Sequence, residues 1–215
     1  MPVTASSRQP GASIWFSGQE GQWLLAEERR WLAGQLAARP ARPWLWLSPV
    51  AAGDWRPPSS RGLLLYQDGA DYAGSVRCGL PLPLPSDCVG DVVLQHPPAG
   101  RLDALLDESL RVLVDGGRLW VCAFTPWSPY RLRGGGAPWL VPSPGLWRRR
   151  LRALGLQDLG PPRFVGPRWR MRPPGEDEGH GASLRAACVI LAEKRVAAPV
   201  APAPLRWRRG TAPAA

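Results

Sequence analysis

Lysine is nearly missing from this chain of 215 residues: Lys194 is the only one among 27 basic residues, so the positive charge is almost all arginine. Cysteine is scarce too. Cys78, Cys88, Cys122 and Cys188 show no C-x-x-C spacing, which argues against a zinc site or a disulfide framework. Cys122 and Cys188 sit in apolar runs, where a free thiol behaves as a small buried hydrophobe. No stretch approaches 18 apolar residues, the length a spanning helix needs. The N-terminal MPVTASSRQPG has no apolar core of the signal-peptide kind, so the expected location is cytoplasmic. There is no internal repeat, phosphate-binding P-loop, G-x-S-x-G elbow or H-E-x-x-H helix, which sets aside serine and metal hydrolases.

What is present suits one α/β domain with tails. Hydrophobic residues make up 45%, an ordinary share for a folded domain, while 26 prolines and 24 glycines require many loops. Charge is unevenly spread. Residues 1–125 hold 11 basic and 12 acidic side chains, whereas residues 126–215 hold 16 basic and 5 acidic ones. The basic back half suggests an anionic partner such as RNA or lipid, or else an arginine-rich solvated surface. Composition divides the chain into a flexible N-terminus (1–18), an α/β domain (19–196) and a basic Pro/Ala-rich tail (197–215) expected to be disordered.

The chain is organised around residues 80–127. Asp91 to Gln95 is a β-branched run of strand length. Leu102, Leu105, Leu106, Leu110 and Leu113 then form one stripe of a helix. Asp115-Gly116-Gly117 is expected to end that helix, and Leu119 to Phe124 is a second strand. Two apolar strands joined through a helix predict a parallel βαβ unit. Upstream, residues 20–38 predict an amphipathic helix with Leu24, Leu25, Trp31, Leu32 and Leu36 inward and Glu27, Arg29 and Arg30 outward. Glu28 falls near the apolar arc, either as a buried functional carboxylate or as the partner of an arginine at the helix edge. Further strands are expected at Pro43–Ser48, Gly62–Tyr66, Ser75–Cys78, Phe164–Val165 and Ala186–Arg195. A helix capped by Ser143-Pro144, with Leu146, Leu151 and Leu154 inward and Gly155 as its stop, lies between them.

The order L-P-L-P, apolar strand, helix ending in R-V-L-V-D-G-G-R-L, apolar strand and F-T-P-W-S resembles the class I S-adenosylmethionine-dependent methyltransferases, closest to their type 11 methyltransferase-like branch. The resemblance implies a three-layer, Rossmann-like α/β fold with a mostly parallel sheet, S-adenosylmethionine as cofactor, and methyl transfer to an acceptor. It implies cofactor contacts from Ser48, Gly53, Asp68, Leu80, Gln95 and His96, and a substrate-side loop carrying Trp127, Tyr130 and Arg131. His96 also qualifies on position, since it follows a strand at the edge where open α/β sheets bind ligands. Asp68 reads either as the carboxylate for the ribose hydroxyls or as part of a Gln67-Asp68-Gly69 turn. The chain departs from the family after its first strand. In place of acidic-x-G-x-G-x-G it has Ser48-Pro49-Val50-Ala51-Ala52-Gly53-Asp54-Trp55, where only Gly53 remains and no room is left for the following helix. The alternative expectation is therefore a degenerate, non-catalytic member acting as a binding or scaffolding module.

Overall fold

The computed structural model describes residues 15–56, 61–125, 128, 142–168 and 185–196. A helical turn at 15–17 leads into α1 (Gln19–Ala37), β1 (Trp44–Ser48), β2 (Gly62–Asp68), β3 (Asp71–Gly74) and β4 (Val89–Gln95). After a 3-10 turn at Ala99–Arg101 come α2 (Leu102–Val112), β5 (Leu113–Phe124), α3 (Pro144–Ala153), β6 (Leu156–Asp158), β7 (Arg163–Arg168) and β8 (Arg185–Lys194). The strands form one sheet in the order β3-β2-β1-β4-β5-β8-β6, with β7 also paired to β8. The central strands β2, β1, β4 and β5 are parallel, and antiparallel strands flank them.

Alternation along β1 sorts the two faces. Leu45 and Leu47 join Val92, Leu94, Leu105, Leu106, Trp147 and Leu151 in the core under α2 and α3. Trp44 and Trp46 join Val93, Trp120, Cys122, Leu24 and Leu32 in the core under α1. Successive strand side chains point to opposite faces, so the repeat Trp-Leu-Trp-Leu feeds one residue type to each layer. The outcome is a three-layer α/β domain, as expected. No helix among the described residues is long and apolar enough to cross a membrane.

Four local expectations are corrected. The third strand is Asp71–Gly74, an antiparallel hairpin partner of β2, while Cys78 makes only an isolated bridge to Tyr72. The Asp68↔Asp71 pairing leaves Gly69-Ala70 as a two-residue loop, so the chain turns back at once instead of crossing to a parallel strand. Helix α2 ends before Asp115-Gly116-Gly117: Leu113 is already extended, and Gly116, at φ 68°, takes up the bulge between the Val89↔Leu113 and Asp91↔Arg118 pairs. In α3, Ser143 Oγ accepts from the Leu146 amide as expected, but Leu146 itself is 54% exposed and Trp147 is the inward residue beside Leu151. Finally, β6 had no counterpart among the expected elements. The substrate-side residues Trp127, Tyr130 and Arg131, together with the 197–215 tail, lie outside the described residues.

Candidate functional site at the carboxyl edge of the sheet

Between β1 and β4 the strand order reverses, since the chain leaves β1 for β2 on one side and returns to β4 on the other. Open α/β sheets bind ligands at the carboxyl ends of strands at this switch point. Here the edge is filled by groups that satisfy one another. Gln95, the last residue of β4, accepts from Trp46 Nε1 (3.3 Å) and donates from Nε2 to Glu28 Oε2 (2.7 Å) and the Leu25 carbonyl (3.3 Å). Glu28 Oε1 lies 2.8 Å from His96 Nε2. His96 is held at φ 47°, a left-handed conformation that costs a non-glycine residue of order 1–3 kcal/mol. Its ring is packed between Phe16 and Phe124, with each centroid at 4.6 Å.

One turn along the same helix face, Arg29 reaches the end of β1. Its Nη2 donates to Ser48 Oγ at 2.9 Å, and its Cζ lies 5.6 Å from the centre of the Trp55 ring. Burial pushes the guanidinium pKa down, with the neighbouring Glu28 charge opposing. Trp55 in turn rests on Trp46, with centroids 4.8 Å apart. The stretch from Pro49 to Trp55 is bends and turns, with Gly53 at φ 59° and nothing within 4 Å of where a Cβ would stand. That glycine serves the turn, not a close approach.

The structure separates the expected cofactor residues. Ser48, Gln95 and His96 line one cavity of only ≈ 10 Å³ with Tyr72, Leu47 and Leu94. Leu80 lines a different, open groove of ≈ 380 Å³ beside Ala99 to Ala104. Asp68 closes the β2–β3 hairpin and pairs with Arg77 at 2.8 Å on the exposed surface, which favours its turn role. Gly53 faces neither space.

Two outcomes differ from the sequence reading at α1. Glu28 is 0% exposed and its partners are His96 and Gln95, not an arginine at the helix edge. Arg29, expected outward, is 2% exposed. The signal was present: Leu25, Glu28, Arg29 and Leu32 follow the i, i+3, i+4, i+7 spacing of a single face. Thiol chemistry has no support here. Burial raises the Cys122 pKa well above its ordinary value and Cys188 to about 12, with the Glu28 charge adding to both. No group of metal-ligating side chains occurs among the described residues.

This sheet order and these flanking helices define the class I methyltransferase fold. A S-adenosylmethionine-dependent methyltransferase from Aquifex aeolicus is similar in structure (TM-score 0.53, 12% identity), covering 86% of this chain and 97% of that one. Another from Archaeoglobus fulgidus has a TM-score of 0.48 and 12% identity, covering 77% and 94%. No protein-family model matches the sequence. No curated protein matches it either.

Proposed function

We propose that this chain keeps the methyltransferase scaffold without its nucleotide cleft, and works as a binding or scaffolding module. One observation carries the reading: the cavity at the switch point measures ≈ 10 Å³, about the space of one water, whereas ligand pockets typically span about 300–1,000 Å³. The residues that would hold S-adenosylmethionine do not fit it. Ser48 is engaged by Arg29, Asp68 by Arg77, and Gln95 and His96 by Glu28. The excess of arginine after residue 125 supports an anionic partner, RNA being one that charge and stacked aromatics would suit. Four unbridged cysteines fit a reducing compartment such as the cytoplasm.

A second reading is methyl transfer from S-adenosylmethionine to an acceptor. The ≈ 380 Å³ groove beside Leu80 favours it, because the family resemblance sets the adenine along that segment. Thermal melting with S-adenosylmethionine separates the two. A ligand bound only to the folded state adds about 2.7 kcal/mol at 100 times its dissociation constant. The binding-module reading expects no dose-dependent rise at millimolar ligand, and a saturating rise would replace it with the enzyme reading.

A further inference from the structure

Arg29 is the buried charge at this edge without a counter-ion in contact. Asp91, by comparison, accepts from Trp120 Nε1 at 3.0 Å and has Arg39 Nε at 3.6 Å. Glu28 is met by His96 and Gln95. Arg29 has only the Ser48 hydroxyl and the Trp55 ring, and among the described residues no carboxylate pairs with it. Its Nε is buried with no hydrogen-bond partner. A buried donor left unmade is costly, more so on a charged group, and calls for an acceptor that the chain itself does not supply.

The chemistry of that acceptor follows from the guanidinium. Its Nε–H runs parallel to one Nη2–H, a fork that matches the two oxygens of a carboxylate. The Ser48 hydroxyl accepts from Nη2 and keeps its own proton to donate. All three donors stand at the carboxyl end of β1, beside the switch point. Trp55, half-buried on the loop after β1, covers the guanidinium from outside. We infer that Arg29 anchors a site for a carboxylate-bearing ligand, which Trp55 admits by turning off the guanidinium. The inference rests on the reading that the nucleotide cleft is closed, so that the carboxylate, and not a nucleoside, is the recognised group.

The test is a proton–nitrogen NMR titration of the full chain that follows the Arg29 Nε–H resonance, identified by its loss in Arg29→Lys. Should that variant fail to fold, Trp55→Ala identifies the same resonance by displacing it. Sodium acetate should shift the resonance saturably, sodium chloride at matched ionic strength should not, and Trp55→Ala should bind acetate more tightly. Absence of an acetate shift in both the wild-type protein and Trp55→Ala overturns the site, as does an equal response to chloride. Two further ligands keep the underlying reading separate. S-adenosylhomocysteine carries a carboxylate and 5′-methylthioadenosine does not. If both nucleosides bind, the closed-cleft reading fails, while the acetate arm alone still decides the role of Arg29.

Discussion

The two faces of the sheet are built from different chemistry. Under α2 and α3 the core is leucine and valine, and its buried polar residue, Ser109, bonds the Leu105 carbonyl of its own helix. Under α1 the core is tryptophan-rich, and charged or amide groups are buried within it: Glu28, Arg29, Asp91 and Gln95. Each indole there serves twice, filling volume while its N–H meets an acceptor, Trp46 to Gln95 and Trp120 to Asp91. Buried pairs of this kind contribute little net stability, because desolvation offsets the attraction. What they fix is position, and on this face they fasten α1 across the edge where a ligand would enter. The aliphatic face holds the fold together, and the polar face determines what the fold can bind.

Truncation should expose that difference first. Trp46→Ala leaves a large void and strips Gln95 of a donor, so it should lower unfolding free energy in urea by about 3–5 kcal/mol. Leu105→Ala on the opposite face should fall in the lower part of the ~2–5 kcal/mol range and leave no polar group stranded. Glu28→Ala comes next, at about 3 kcal/mol, because His96 and Gln95 lose their shared acceptor in a dry site. Glu28→Gln, which retains an acceptor oxygen, should cost clearly less. Equal costs for the two Glu28 substitutions would show that the side chain only fills space.

Acid titration should split the faces by sign. Burial raises the Asp91 pKa above 3.8, against the Trp120 hydrogen bond and the nearby arginines. The folded protein therefore holds that proton to higher pH than the unfolded chain, and this contribution to stability falls as pH rises from 3.8 through the raised value. Glu108 behaves in the opposite way. Its hydrogen bonds from Arg111 and the Leu82 amide pull its pKa below 4.5 despite some desolvation, so its contribution is present above 4.5 and lost as pH falls. Asp91→Asn should remove the first slope and Glu108→Gln the second, read from urea midpoints between about pH 3 and 6. The smallest effect belongs to the surface. Arg77→Ala breaks only the exposed pair with Asp68 and should change stability by no more than about 0.5 kcal/mol.

The parts of the fold visible in the sequence were those where one period dominates. The leucine stripe of α2 and the apolar runs of β4 and β5 are unambiguous, and the βαβ unit follows from them. Where two local rules compete, the pattern misled. Asp115-Gly116-Gly117 carries a helix-stop signal, yet the strand pairing recruited Leu113 first and pushed the glycines into a bulge. The two-residue loop at Gly69-Ala70 folded the chain back into a hairpin, so Asp71–Gly74 took the edge position expected of Ser75–Cys78. At the site, the loss of the glycine loop was plain in residues 48–55. What replaced it was not, because Arg29 looks like one more surface arginine until the phase of Leu25, Glu28 and Leu32 is followed around the helix. His96 was legible as the histidine at a strand end. Its partner was legible only as one of two readings of Glu28.

The most direct measurement is calorimetric titration of the full chain with S-adenosylhomocysteine. A filled switch point predicts no saturable heat up to millimolar ligand, with the protein shown to be folded by cooperative melting. Saturable binding in the micromolar range would contradict the account: the edge sealed by Glu28, Arg29, Gln95 and His96 would have to open for a nucleoside, and the chain would have to be read as a cofactor-dependent enzyme.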